Sequence, residues 1–219
     1  MPSVRKAKAA VGAKAGSPPP IKRKQGRPPF VENQKERILK SAAEHFGRNG
    51  YENSSINELA KSLNVSKAAI YHYYETKQEI YDEIIIITLR GMIERVEGAV
   101  EVSKDPAERL RFFMSAHGQY FDQHYWEFVT MLMGFGGMVN IDRRQDALRL
   151  RDQYESYLRS IIAEGIKSGL FAKQDVRVVA RAIISMLGWM ARWYRPGGKK
   201  SAAELALEYC ELVMYGAVP

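Results

Sequence analysis

Apolar residues recur at helical spacing through most of this chain, and no stretch shows the strict alternation that is typical of a half-buried strand. Two short helices are predicted between residues 55 and 74. Longer helices are predicted over residues 32–49, 77–102, 106–123, 125–139, 142–168, 175–195 and 201–216. The predicted fold class is therefore all-α, with an N-terminal three-helix domain followed by a C-terminal helical bundle.

The first short helix has a clear beginning and a clear buried face. Ser55 and Glu58 form a Ser-x-x-Glu capping box, in which each side chain accepts a hydrogen bond from the other residue's backbone. The apolar positions that follow share one face and are Ile56, Leu59, Ala60 and Leu63. Asn64 and Val65 are predicted to form the turn after this helix.

The second short helix carries a surface suited to DNA. Ser66 is predicted to cap a helix that runs from Lys67 to about Tyr74, with Ile70 and Tyr74 anchoring it to the core. Its outer face combines donors, an aromatic ring and a small residue, namely Lys67, Ala68, Tyr71 and His72. A helix of this kind fits the major groove, because such side chains reach base edges and phosphates. The pair of helices therefore indicates a helix-turn-helix unit.

The segment Val-Ser-Lys-Ala-Ala-Ile-Tyr-His-Tyr-Tyr-Glu-Thr-Lys, residues 65–77, closely resembles the recognition segment of TetR-type transcriptional regulators. Tyr71 and Lys77 match the family pattern Tyr-x-His-Phe-x-x-Lys, whereas Tyr74 replaces the phenylalanine and Tyr73 stands where histidine is common. The resemblance implies that the second helix enters the groove and that Tyr71, Tyr73 and Lys77 hold phosphates. The alternative is a helical hairpin within a larger bundle. The predicted DNA-binding residues are Ser54, Ser55, Lys67, Ala68, Ala69, Tyr71, His72, Tyr73, Lys77 and Arg27.

Lys77 also begins the long fourth helix. Thr76 and Glu79 have the spacing of a second capping box, which would leave a positive helix N-terminus beside this lysine.

The net charge of +8 comes entirely from the N-terminus, since residues 1–29 contain eight basic residues and no acidic residue. This segment has few large apolar groups, and it is predicted to be a disordered basic arm. Its Gly-Arg-Pro sequence, which includes Arg27, resembles the core of an AT-hook that lies in the minor groove of A·T-rich DNA. A solubilising or nonspecific phosphate-binding tail explains the composition equally well. The predicted domains are the arm at 1–29, a DNA-binding domain at 30–78, and a ligand-binding and dimerisation domain at 79–219.

Two features in the middle of the chain are compatible with a small-molecule site. His117 and His124 suggest a metal, but no carboxylate or thiol stands at ligand spacing, which favours hydrogen-bonded core histidines. Residues 131–138 combine three methionines with three glycines, a composition that fits either an adaptable apolar pocket or core packing with a helix break.

The C-terminal segment Gly-Trp-Met-Ala-Arg-Trp-Tyr-Arg-Pro-Gly-Gly, residues 188–198, resembles the Trp-x-x-Arg-Trp-Tyr-x-Pro-x-Gly segment of one branch of TetR-type regulators. Several members of that branch respond to acyl-CoA thioesters. On a helix, Trp189, Arg192 and Trp193 would place a cation between two indoles. This surface would either cover an acyl chain or pack a dimer interface. The predicted effector-binding residues are His117, Phe121, Met133, Phe135, Trp189, Arg192 and Trp193.

The sequence therefore predicts a homodimeric, ligand-responsive repressor that binds a palindromic DNA operator and releases it when a hydrophobic effector, such as an acyl-CoA, is bound. Dimerisation would use the helices at 175–195 and 201–216, because two recognition helices must occupy successive major grooves. No cofactor, metal or membrane partner is expected, and the single Cys210 and the absence of a signal peptide indicate the cytoplasm. Two alternatives are an architectural A·T-rich DNA-binding protein without an effector and a small-molecule enzyme, although no catalytic constellation is visible.

Overall fold

The structure is a computed structural model that describes residues 31–134 and 137–216, with side chains from residue 34 onward. The predicted basic arm, including Arg27, and the predicted effector residue Phe135 lie outside the described residues. Within the described ranges the regular structure is entirely helical, as predicted. The helices are α1 Val31–Asn49, α2 Ile56–Leu63, α3 Lys67–Tyr71, α4 Lys77–Val100, α5 Pro106–Gln123, α6 Tyr125–Gly134, α7 Ile141–Lys167, α8 Val176–Trp189 and α9 Ala202–Tyr215. None of these described helices combines the length and apolarity that a membrane span requires.

Side-chain caps explain where most of the long helices begin. Asp105 accepts hydrogen bonds from the backbone N–H groups of Ala107 and Glu108, and Pro106 occupies the first turn of α5, as predicted. Helices α7 and α8 begin in the same way after Asn140 and Asp175. The cap of α9 is a complete box of Ser201 with Glu204.

The cap of α4 differs from the predicted box. Thr76 Oγ1 accepts the backbone N–H of Glu79 at 3.0 Å, but the Glu79 carboxylate accepts the N–H of Glu75, at 2.8 Å. The carboxylate therefore also fixes the turn that precedes α4.

Three helices have described ends that lie three or more residues before the predicted ones. Helix α3 stops at Tyr71 because the chain turns at His72 and Tyr73 to bring the side chain of Tyr74 into the core. The described part of helix α6 ends at Gly134, where a Cβ atom would overlap the Tyr81 side chain. Helix α8 ends at Trp189 and is followed by a 3-10 turn over Met190–Arg192. In the loop after this turn, Gly197 adopts a φ of +81°.

Helix α4 is the central element, since it packs against α5, α6 and α7. Helix α5 packs in turn along α9, and α7 packs along α8. Buried apolar side chains form one continuous core from Ile38 in α1 to Cys210 in α9. Because this core continues across residue 78, α1–α3 are joined to the rest of the protein by packing as well as by the chain.

An aromatic cluster joins α1 to α4. The rings of Phe46 and Tyr51 have centroids 5.6 Å apart, and the Tyr81 ring lies 5.3 Å from Phe46 and 4.6 Å from Tyr51. Tyr81 also receives the close approach of Gly134, where a Cβ atom would overlap the phenol oxygen. The end of α6 therefore meets α4 at the point where α4 meets α1.

Candidate functional site

The predicted helix-turn-helix is present in α2 and α3. Ser55 and Glu58 form the complete capping box, with Glu58 N donating to Ser55 Oγ at 3.2 Å. Asn64 ends α2 in the left-handed conformation, with φ 54° and ψ 44°, which a short polar side chain tolerates. Ser66 Oγ then accepts the N–H of Ala69 at 3.1 Å and begins α3. Ile70 is buried and attaches α3 to the core.

The outer surface of α3 presents the residues that were predicted to meet DNA. Lys67, Ala68 and His72 are exposed, and Tyr71 is 40% exposed with Lys67 Nζ 5.5 Å from its ring centroid. His72 is the C-cap of α3, and its ring meets the half-buried Tyr73 ring edge to face at 5.1 Å. Ala69, by contrast, is half-buried beside them. This surface stays a predicted DNA contact.

Ser54 and Lys77 have structural roles that the sequence did not indicate. The Ser54 side chain is buried, and its one hydroxyl proton is shared between the carbonyls of Gly50, at 2.8 Å, and His45, at 3.1 Å. Lys77 Nζ donates to the carbonyls of Tyr51 at 2.8 Å and Ser54 at 3.0 Å, and lies 4.0 Å from the Tyr51 ring centroid. In this conformation Ser54 does not reach the surface and Lys77 ties α4 to the α1–α2 loop. Neither residue is therefore retained in the proposed DNA surface.

An open cavity of about 1070 Å³ lies where α1, α6 and α8 meet. We call it the α1–α6–α8 cavity. Helix α1 contributes its last turn and α6 contributes an aromatic and aliphatic face, while the remaining wall comes from the end of α8 and the following turn. Its described lining comprises Gly47, Arg48, Asn49, Tyr125, Trp126, Val129, Leu132, Met133, Ile184, Ser185, Gly188, Trp189, Ala191, Arg192, Arg195 and Pro196.

The charged residues in the described lining of this cavity are all arginines. Arg48, Arg192 and Arg195 are among its described lining residues, and none of those residues is acidic. The guanidinium groups of Arg48 and Arg192 lie 4.9 Å from the Trp126 ring and 5.4 Å from the Trp189 ring. A mostly apolar cavity with cations on several walls is complementary to a ligand that has an apolar body and an anionic group.

Helices α1 and α6 are in close contact beside the cavity. Thr130 Oγ1 in α6 donates to the carbonyl of Ala43 in α1 at 3.0 Å. Gly47 lies one turn after Ala43 in α1, and Trp126 lies one turn before Thr130 in α6. A Cβ atom on Gly47 would lie only 2.6 Å from the Trp126 ring. Any movement of Trp126 toward α1 therefore has to move the backbone of α1.

The structure does not bring all of the predicted effector residues together. Met133, Trp189 and Arg192 line the α1–α6–α8 cavity, and Trp189 is 64% exposed. Trp193 is also exposed, but it is not among the described lining residues. Phe121 and His117 lie in the core instead, away from the lining of this cavity.

His117 is a core histidine. Its Nδ1 lies 2.6 Å from the hydroxyl of Tyr154, and its ring meets Phe128 edge to face at 5.2 Å. Burial lowers the pKa of His117 to about 3, so the ring is neutral at pH 7. The Tyr154 hydroxyl has no other hydrogen-bond partner among the described residues, so it donates to Nδ1, and the Nε2–H of His117 is left without a described partner.

His124, in contrast, is half-buried and is not a core histidine. It caps the end of α5, and its ring lies 4.4 Å from the Tyr120 ring. The described residues contain no group of three histidine, cysteine or acidic side chains that could hold a metal ion.

Sequence reasoning missed the α1 wall of the cavity. The local sequence indicates only an ordinary helix end at Gly47, Arg48 and Asn49. It does not indicate contact with residues far along the chain. The one available signal was the aromatic pair of Tyr125 and Trp126, which opens α6 with large rings where a polar first turn would be ordinary.

Comparisons with known proteins cover both parts of the chain. The profile of the bacterial regulatory proteins, tetR family, matches residues 38–84, and the profile of the tetracyclin repressor-like C-terminal domain matches residues 103–217. The crystal structure of PfmR, a TetR family transcriptional regulator from Thermus thermophilus, is 43% identical, covers 84% of this chain and 100% of that chain, and has a TM-score of 0.79.

Two further relatives are more distant. The HTH-type transcriptional repressor KstR2 of Mycobacterium tuberculosis is 24% identical over 187 residues, which is 85% of this chain and 94% of KstR2. The structure of FadR from Bacillus subtilis in complex with stearoyl-CoA is 23% identical, covers 84% of this chain and 99% of that chain, and has a TM-score of 0.65. At this identity the FadR likeness shows a shared fold.

Proposed function

Because this chain belongs to the TetR family of DNA-binding transcriptional regulators, we propose that it is a homodimeric repressor that leaves its operator when an amphipathic anion occupies the α1–α6–α8 cavity. The effector class that fits best is an acyl-CoA thioester. The observation that carries this proposal is the positively charged, largely apolar cavity, one wall of which belongs to α1. The site of action would be operator DNA in the cytoplasm.

The DNA-binding part of the proposal rests on α3. Lys67, Tyr71 and His72 are presented outward on a helix whose inner side is fixed by Ile70. In this role they would contact base edges and phosphates of the major groove, while the exposed Ala68 allows close approach. The relatives matched above are transcriptional regulators, which is a non-enzymatic class, and they give no support to the architectural or enzymatic alternatives.

The dimer part of the proposal rests on the outer faces of α8 and α9. Val178 in α8 is 64% exposed, and Leu212 and Tyr215 in α9 are 45% and 67% exposed. Pairing these faces in a four-helix arrangement would bury them and would set the separation of two recognition helices. Two helices must lie about 34–36 Å apart to enter successive major grooves, which predicts a palindromic operator.

The effector part of the proposal rests on complementarity. Val129, Leu132 and Met133 provide an apolar wall for an acyl group, and Arg192 provides a planar cation for a phosphate or carbonyl oxygen. FadR, a relative with this fold, has been solved with stearoyl-CoA, which supports the acyl-CoA class. Occupancy would shift α6 and α1 together, because Trp126 and Gly47 are in contact.

The test is an operator-release assay. An operator is selected from random DNA, and its affinity for the protein is measured with acetyl-, octanoyl- and palmitoyl-CoA, with the matching free acids, and with CoA alone. We expect at least one thioester to weaken operator binding while CoA alone has little effect. An Arg192→Gln variant should bind the operator normally and require more thioester for release. Release by free acids or uncharged drugs, with no response to any thioester, would contradict the proposed effector class.

A further inference from the structure

The cations of the α1–α6–α8 cavity belong to two different parts of the protein. Arg192 and Arg195 follow α8, whereas Arg48 stands in the last turn of α1. Helix α1 contacts the helix-turn-helix, since its Ser41 hydroxyl lies 3.1 Å from the Ser62 hydroxyl in α2. A ligand anion that reaches both sides would touch the DNA-binding part directly.

The present partners of Arg48 are easily exchanged. Its guanidinium pairs with Glu44 at 2.8 Å, one turn earlier in α1, and both side chains are about half exposed. Exposed pairs at this spacing contribute little, because water and salt screen them. The other contact is with the Trp126 ring, which lines the same cavity. A phosphate in the cavity would accept two hydrogen bonds from this guanidinium, whereas the ion pair with Glu44 is made through one carboxylate oxygen.

We propose that Arg48 is an effector-binding residue, and that the anionic group of the effector is held jointly by Arg48 and by Arg192 or Arg195, so that the bound effector bridges α1 and the end of α8. This bridge rests on the proposed use of the cavity and adds a direct route from effector to DNA-binding unit. The apolar walls then provide affinity, while the bridge between arginines fixes the position of α1.

The local packing makes such a bridge consequential. Helix α1 cannot slide freely on α6, because Gly47 touches Trp126 and Ala43 accepts the hydrogen bond of Thr130. Helix α1 also buries Ile38, Ala42 and Phe46 in the common core. A displacement of Arg48 by the bound effector therefore moves the whole of α1 and not only its last turn.

The experiment compares four variants with the wild type in two measurements. The variants are Arg48→Gln, Glu44→Gln, Arg192→Gln and the control Arg37→Gln, which removes an exposed arginine on α1 that does not line the described cavity wall. The first measurement is the affinity for acetyl-, octanoyl- and palmitoyl-CoA and for palmitate. The second is operator affinity without and with saturating thioester, using the thioester that releases the wild type.

The bridge predicts a distinct result for each variant. Arg48→Gln should bind the thioester roughly tenfold more weakly and should stay on the operator even when the thioester is saturating, because the tie to α1 is lost. Arg192→Gln should also bind more weakly. Glu44→Gln should bind the thioester about twofold more tightly, since the Arg48 guanidinium no longer pairs with the Glu44 carboxylate. Arg37→Gln should respond as the wild type does.

Three outcomes would overturn the bridge. Arg48→Gln could bind and respond like the wild type, or it could bind weakly and yet be released completely at saturation. In either case the response of the wild type would leave the proposed function in place. If instead none of the three thioesters releases the wild type, the proposed function and the bridge both fail.

Discussion

We expect His117 to lower the stability of this protein at acidic pH, and we expect the substitution His117→Leu to remove this part of the pH dependence. Its pKa is about 3 in the folded protein, because burial penalises the imidazolium, and 6.5 is the usual value in an unfolded chain. The unfolded state therefore binds a proton as the pH falls through 6.5, while the folded state stays neutral. The folded state loses stability as the pH falls from 6.5 toward 3.

The size of the effect follows from these two values. Proton linkage between pH 7 and pH 5 gives a loss of about 2 kcal/mol in the free energy of unfolding of each protomer. This figure is nearly independent of the folded pKa, provided that the folded value stays well below 5. The remaining ionisable groups titrate alike in closely related variants, so their contribution cancels when variants are compared.

The assay is urea unfolding of the wild type and of His117→Leu at pH 7 and pH 5, at one protomer concentration. His117→Leu leaves the Tyr154 hydroxyl without its partner, which should cost about 1–3 kcal/mol at both pH values. The double variant His117→Leu/Tyr154→Phe removes that cost. Both variants should lose about 2 kcal/mol less than the wild type between pH 7 and pH 5. His124→Gln is the matched control and should behave as the wild type. If His117→Leu loses as much stability as the wild type, a buried neutral imidazole is the wrong explanation.

Three further predictions concern DNA binding. Lys67→Ala and His72→Ala should each weaken binding to the selected operator by about 1–3 kcal/mol and have less effect on binding to random DNA. If both variants are folded and bind the operator normally, the placement of α3 in the major groove is wrong. Lys77→Met should lower the free energy of unfolding by about 1–3 kcal/mol, because two backbone carbonyls lose a charged donor, and should leave the salt dependence of DNA binding unchanged. A salt slope that falls without a loss of stability would show that Lys77 contacts phosphate. Removal of residues 1–27 should flatten the salt dependence of DNA binding without changing thermal stability, and an unchanged slope would show that the basic arm does not contact DNA.

The parts of the fold that depend on neighbours in sequence were predictable. The caps at Ser55, Ser66 and Asp105 and the helical spacing of apolar residues each involve groups within one or two turns, so the chain itself specifies them. Helix ends that depend on distant packing were not. Helix α3 ends at Tyr71 because the chain turns to bury Tyr74 in the core, and the helical spacing of the sequence does not indicate that turn.

The candidate site shows the same division. Trp189 and Arg192 were predicted from a local motif, and both line the α1–α6–α8 cavity. Arg48 was not found, because its relevance depends on α6 and α8 lying beside α1. Ser54 and Lys77 were assigned to DNA from a linear pattern, whereas their hydrogen bonds are made within the fold. A linear motif cannot distinguish a lysine that meets a phosphate from one that meets two carbonyls.

The shared wall between α1 and the cavity limits how this regulator can be rebuilt. A chimera of two such regulators would join the DNA-binding helices of one protein to the ligand-binding helices of another. Here a graft of α1–α3 would also replace Gly47, Arg48 and Asn49, and would set a foreign side chain against Trp126. A chimera made at the start of α4 would then change both its operator and its small-molecule response. A graft that retains the last turn of α1 from the sensing parent would keep the cavity intact and exchange only the operator.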